Sequence, residues 1–239
     1  HPKLLDWLAS EYIRLGWSRK ALIKTVVMSA TYRQSSAHRP ELADIDPQNR
    51  LLYRQNRPRV EAEIIRDLSL SAGGLLSRKI GGPSVFPPLP PDIAALSYAN
   101  SFRWTTSKGE DRYRRGMYTF FKRTAPHPNL TTFDCPDGNT TSIDRQSSNT
   151  PLQALVTMNN EVFIEASQAM ARRLLKVKLK DDNARLAYGI RICVARQPTK
   201  QEQSQFAGLL SAAKTWYGEH NDDAIKLVGS YAVDGVSPA

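Results

Sequence analysis

Only two cysteines, Cys135 and Cys193, occur in the 239 residues. Two thiols make neither a disulfide framework nor a metal-ligand cluster, though one bridge between them stays open. The expected state is a pair of unpaired thiols, with Cys193 buried on a helix. Long apolar runs are also lacking. The longest charge-free stretches, Gly81–Pro91 and Asn149–Asn160, are broken by Pro, Gly, Asn and Gln. They fall short of the roughly 18 consecutive apolar residues that a membrane-spanning helix needs. His1, His38, His127 and His220 are isolated, with no H-x-H or H-E-x-x-H arrangement, so transition-metal or zincin chemistry would need ligands gathered from distant segments. No G-x-S-x-G elbow, P-loop or G-x-G-x-x-G occurs, which leaves α/β-hydrolase, P-loop nucleotide and Rossmann readings without support. Internal repeats of 20–50 residues and sustained heptads are missing too.

What is present fits a folded protein. Hydrophobic residues make up 41% of the chain, and four Trp, nine Tyr and seven Phe supply large anchors. That composition lies outside the disordered range. The formal net charge of +10 points to an anionic partner: nucleic acid, acidic polysaccharide, a membrane surface or an acidic neighbouring domain. The charge is spread along the chain. Between Phe102 and Thr124 stand Arg103, Lys108, Arg112, Arg114, Arg115, Lys122 and Arg123 against Glu110 and Asp111. A solvated basic face is the simpler account of them. Trp104, Tyr113, Tyr118, Phe120 and Phe121 among those arginines would suit stacking with single-stranded nucleic acid, but no recognised binding motif accompanies them.

Periodicity predicts helices at both ends. In P-K-L-L-D-W-L-A-S-E-Y-I-R-L-G, residues Leu4, Leu5, Leu8, Tyr12 and Leu15 share one face, at helical spacing. A second helix follows almost at once, with Ser18 as N-cap. A third runs from Val60 and stops at Gly73-Gly74. Thr150-Pro151 opens another in the favoured way, and Asn159-Asn160 breaks and restarts it. Asp182 is expected to cap the next helix, and Thr199 with Glu202 reads as a capping box. The last helical piece covers Ala224–Val228. Between these ends, G-G-P-S-V-F-P-P-L-P-P cannot be a helix interior, because proline lacks the donor and clashes with the preceding turn. Short strands are expected in G-M-Y-T-F-F-K-R and at Leu130–Phe133. The resulting expectation is a mainly α, bundle-like single domain over 1–239. Its parts are N-terminal helices at 1–79, an irregular Pro- and aromatic-rich middle at 80–149 packed over the core, and C-terminal helices at 150–239.

Two polar constellations could carry chemistry. D-C-P-D-G-N-T-T-S-I-D-R places Asp134, Asp137, Asn139 and Asp144 in one loop, a set of oxygens that could ligate Ca²⁺. The spacing fails the EF-hand pattern, and Arg145 stands where a bidentate Glu should fall. Converging Asp134 and Asp137, with Arg145 beside them, would suit general acid–base hydrolysis. Turn chemistry, with Asp134 or Asp144 paired to Arg145 or a nearby arginine, is the simpler reading. The second constellation is Arg54, Arg57, Arg59, Glu61, Glu63 and Arg66. Such arrays commonly form ion pairs that orient a helix. Arg57, Arg59 and Glu61, with Arg114 and Arg115, are the candidate binding residues if the guanidiniums instead grip a carboxylate, sulfate or phosphate.

Several long phrases resemble a known family: H-P-K-L-L-D-W-L-A-S-E-Y, G-W-S-R-K-A-L-I-K-T-V-V-M-S-A-T-Y-R-Q-S-S, D-P-Q-N-R-L-L-Y-R-Q-N-R-P-R-V-E-A-E-I-I-R-D, F-D-C-P-D-G-N and R-Q-S-S-N-T-P-L-Q-A-L-V-T-M-N-N. Together with R-Q-P-T-K-Q-E they look like the planctomycete-specific C-terminal domain of unknown function called "fifteen fifty-three". The resemblance implies an exported, multidomain parent carrying cytochrome c-like domains, and it supplies no activity. It also implies that both edges of the domain, at His1 and Ala239, are trimmed. This chain has no C-x-x-C-H attachment sequence, so haem is expected only in other domains of that parent. The expected function is a non-catalytic helical module that docks to neighbouring domains or to an anionic polysaccharide. A polymer hydrolase using Asp134, Asp137 and Arg145, and a nucleic-acid binder using segment 102–124, are the alternatives.

Overall fold

The computed structural model of the protein describes residues 1–94 and 102–231, so the closing segment through Ala239 lies outside the described residues. Twelve α-helices and no strand occur among them, and the protein is mainly α. Two compact units divide the chain, His1–Arg59 and Val60–Ala239.

The first unit opens with α1 (Pro2–Arg14), whose Pro2 suits the first turn and whose Arg14 pairs with Glu11 near the C-terminus. Gly16 and Trp17 then both adopt positive φ, +62° and +60°. Two left-handed residues in a row reverse the chain, and the Trp17 ring meets Tyr12 edge-on at 5.2 Å. Ser18 caps α2 (Arg19–Met28) by accepting the Ala21 N–H. Two single turns follow, α3 (Ala30–Arg33) and α4 (Pro40–Ala43). The remainder is held by polar contacts. Asp46 accepts the backbone N–H groups of Arg50 and Leu51, and the Asn49 amide donates to the Arg54 carbonyl and to Asn56. Those two residues, Asp46 and Asn49, are the buried ones of this unit. No apolar side chain in it is buried.

The second unit runs α5 (Ala62–Gly73), α6 (Pro91–Ala94), α7 (Pro128–Thr132), α8 (Pro151–Asn159), α9 (Glu161–Lys176), α10 (Asp182–Val194), α11 (Lys200–Glu219) and α12 (Asn221–Val228). Its axis is the pair α5 and α9. Ala62, Arg66, Leu70 and Gly73 line the inner face of α5 at three- and four-residue spacing, against Val162, Phe163, Ala166 and Ala169 of α9. Small residues let the two backbones approach. A Cβ on Gly73 would lie 2.7 Å from the Ala166 carbonyl oxygen. The left-handed Gly74 ends α5, and the Arg173 guanidinium donates to its last carbonyls, those of Ser71 and Ala72. Ala62, Leu130, Phe133 and Phe163 form one core cluster, with Ile65, Phe121 and Val156 packed against it. Each such large apolar side chain taken out of water stabilises the fold by about 2 kcal/mol.

Among the described residues of the middle segment, an aromatic group packs inside this unit. Phe86, Phe102, Trp104 and Phe120 make a ring cluster with centroids 5.0–6.3 Å apart, and the Trp104 indole N–H donates to the Pro87 carbonyl. Both expected strands are corrected. Gly116–Tyr118 is a 3₁₀ turn, and the backbone pairing nearby is limited to bridges of Ser77 with Arg114 and Val85 with Thr119. The reason is tertiary: Gly116 lies so close to α5 that a Cβ would sit 2.4 Å from the Glu63 carbonyl oxygen, and its N–H donates to Asp67 at 2.6 Å. Leu130 is helical because Pro128 occupies the first turn of α7 and His127 caps it. Two smaller readings also change. Asp181, not Asp182, caps α10. Cys193 is exposed, although its sulfur rests 3.7 Å from that of Met170, and neither cysteine is in a disulfide.

Candidate functional site

The polar loop is built as a brace. Asp134 takes a left-handed conformation, φ +64°, which aims its carboxylate at the entrance of α8. There it accepts the Ser148 N–H at 2.7 Å, the Ser148 hydroxyl at 2.8 Å and the Gln153 amide at 3.4 Å. Gln153 is buried and donates as well to the Thr132 carbonyl. One carboxylate thus ties the end of α7 to the start of α8. Asp137 is exposed and closes its own turn by accepting the Asn139 N–H at 2.9 Å, a bond that holds its carboxyl below the usual range.

Arg145 serves neither aspartate. Its guanidinium makes a two-pronged pair with Glu63 at 2.7 and 3.2 Å, with Glu61 at 3.5 Å. Glu63 is the partner, in place of the Asp134 or Asp144 pairing that the sequence favoured. Burial pushes the Glu63 carboxyl up, but Arg145, a backbone hydrogen bond and Cys135 together hold the group below its ordinary value. Cys135 lies 3.8 Å from the same carboxylate. Burial, followed by that negative charge, raises its thiol, so it is protonated at neutral pH and a poor nucleophile. The two aspartates and the arginine therefore have separate tasks. Among the described residues no group of three or more His, Cys, Asp or Glu could hold a metal ion.

The candidate binding residues are similarly engaged. Arg57 donates to the hydroxyl and carbonyl of Ser36 within the first unit, and Arg59 is exposed. Glu61 sits at the N-cap of α5, reaching toward Arg145. Arg114 is 1% exposed. It donates to the carbonyls of Pro83, Lys79 and Gly81 and lies 3.8 Å over the Tyr118 ring, so it clamps the G-G-P turn. Arg115 pairs with Asp67 at 3.0 Å.

A larger charge network was invisible in the sequence. Arg66, buried on α5, donates to the Arg112 carbonyl at 2.7 Å. Burial pulls its guanidinium down to about 10, against the opposing charges of Asp67 and Glu165. Arg112 grips Glu165 and Glu161 of α9, and Glu165 also accepts the Tyr113 and Tyr231 hydroxyls. Burial, with the Tyr113 contact, raises the Tyr231 hydroxyl. His127 is buried with both ring nitrogens engaged, Nε2 at the Pro88 carbonyl and Nδ1 accepting the Asn129 N–H. Burial brings it down to about 4. No free base emerges from this set. The partners joined through Arg66, Arg112 and Glu165 lie 46 to 66 positions apart, and no local motif could have paired them.

A mainly helical module whose buried charged groups are spent on internal partners is what the fold and this network define. A family model described as "PSD1: Protein of unknown function (DUF1553)" matches residues 1–210, and the chain belongs to that family. No curated protein and no solved structure matches it.

Proposed function

We propose that the chain is a non-catalytic docking module whose first unit lays the apolar faces of α1 and α2 on a neighbouring domain of its parent protein. One observation carries this reading. Neither helix buries a single residue, and on their apolar faces Leu4 and Leu5 of α1 and Ile23 and Val26 of α2 are 53%, 69%, 59% and 40% exposed. Apolar side chains left exposed together on helix faces mark an interaction site, and two short helices have little stability of their own until packed. The exported, multidomain setting that the motifs implied belongs to this proposal.

The hydrolase reading has less support, since Asp134, Asp137 and Arg145 are occupied separately. Nucleic-acid binding has less still. Trp104 is buried among other rings, and Arg112, Arg114 and Arg115 are committed to internal partners. The test is titration calorimetry of the full chain with a polypeptide comprising the adjoining domains of the parent. Binding that is abolished by L5D with I23D supports docking through this face. Absence of binding, or binding indifferent to both changes, overturns it.

A further inference from the structure

Two open hollows adjoin on the outer side of α5. One, of about 520 Å³, is floored by Leu68 and Leu76 and reaches Arg173, Ile192 and Cys193. The other, of about 450 Å³, shares Leu68, Ser71, Leu76 and Arg78 with the first and extends past Ile64 and Ile80 to Arg115. Together they form one groove within the second unit. From Ile64 to Ala72 it follows nine residues of helix, a rise of roughly 12 Å, which is the reach of about four residues of extended chain.

The walls and the charges of this groove differ in kind. Its apolar part is aliphatic, and Leu68 and Ile80 are 54% and 76% exposed within it. None of its lining residues is aromatic. Its charges are unbalanced toward positive. Asp67, its one carboxylate, is consumed by Arg115 and the Gly116 N–H. Arg173 spends hydrogen bonds on neutral carbonyls, so its charge is uncompensated there. Arg78 makes no ion pair or side-chain hydrogen bond among the described residues. A guanidinium so placed offers a planar fork to a carboxylate.

We propose that this groove binds an extended acidic peptide segment, laying aliphatic side chains on Leu68, Leu76 and Ile80 and setting carboxylates against Arg78 and Arg173. Charge complementarity selects an anion, and the aliphatic floor selects a peptide. A sugar ring of an acidic polysaccharide would instead call for an aromatic face. The inference is independent of the docking role given to α1 and α2, because it concerns a different surface of a different unit.

The full chain is titrated with a fluorescein-labelled hexapeptide of alternating Glu and Leu, followed by fluorescence polarisation. Saturable binding is expected, with R78E and L68D each weakening it by roughly tenfold or more. A Gln–Leu peptide and a Glu–Ser peptide should each bind at least roughly tenfold more weakly. Both substitutions fall on exposed residues, and circular dichroism checks that each variant is folded. Cys193 reports the location: its alkylation by a maleimide at mildly alkaline pH should slow when the peptide is bound, while that of Cys135 stays unchanged. Three results would overturn the proposal. They are no saturable binding of the Glu–Leu peptide, binding untouched by R78E and L68D, or protection of Cys193 by polygalacturonate but not by the peptide.

Discussion

Gly73 on α5 faces the carbonyl oxygen of Ala166 on α9, with room for a hydrogen and none for a methyl group: a Cβ would stand 2.7 Å from that oxygen and 3.4 Å from the Ala169 Cβ. Both obstacles belong to a helix backbone or to its stub, so neither can swing aside as a long side chain would. The close crossing of α5 and α9 therefore depends on this glycine.

G73A should accordingly destabilise the second unit by about 1 to 3 kcal/mol, the usual cost of forcing extra atoms into a packed interface. The higher helix propensity of alanine offsets less than about 1 kcal/mol of that. Urea unfolding followed by circular dichroism measures the difference. An unchanged or raised midpoint would mean that the helices do not cross here.

Asp67 carries a second crossing. Its two carboxylate oxygens take the Gly116 N–H at 2.6 Å and Arg115 at 3.0 Å, fixing the turn that replaces the expected strand. D67A leaves a buried N–H without its acceptor and removes a negative charge beside the buried Arg66. A loss of about 3 kcal/mol is expected, while R115A, which removes a half-exposed side chain and leaves the Gly116 N–H on Asp67, should cost about 1 kcal/mol or less. Equal losses from both would show that the salt bridge, and not the backbone contact, is what Asp67 provides.

How far the sequence reveals this architecture depends on the range of each contact. Helix starts are set by neighbours three residues away, so Ser18, Thr150 and the Thr199–Glu202 box were legible and all stand at helix N-termini. The segment 116–123 has alternating aromatic residues and reads as a strand, but a contact with Asp67 forty-nine positions earlier decides otherwise. The same limit applies to the candidate site. That Asp134 and Arg145 would be engaged could be argued from composition. That their partners are Ser148 with Gln153, and Glu63 eighty-two positions away, could not, because ion pairing carries no register of its own.

His127 makes the stability depend on pH in a defined direction. Its folded value is about 4, against about 6.5 in an unfolded chain. A depressed value means that the unfolded state takes up a proton the native ring refuses, so this contribution is complete above pH 6.5 and is lost as pH falls toward 4. The full loss is about 3 kcal/mol. Urea unfolding at several pH values in this window should show a slope that H127Q lacks. The ring-proton shift of His127 in NMR spectra gives a second reading. A His127 midpoint near 6.5 in the folded protein would remove the effect.

Asp134 and Asp137 separate a brace from a catalytic pair. Asp134 satisfies a backbone N–H and a hydroxyl at the entrance of α8, whereas Asp137 serves only its own exposed turn. D134A should therefore lower stability by about 1 to 2 kcal/mol and speed hydrogen exchange at the Ser148 amide, the donor it leaves unmatched. D137A should change stability by less than about 0.5 kcal/mol. A converging acid–base pair makes the opposite demand: removing its carboxylates relieves a repulsion, so both variants would be neutral or stabilising. Exchange mass spectrometry of the two variants distinguishes the cases, and protection of Ser148 undiminished in D134A would refute the bracing role.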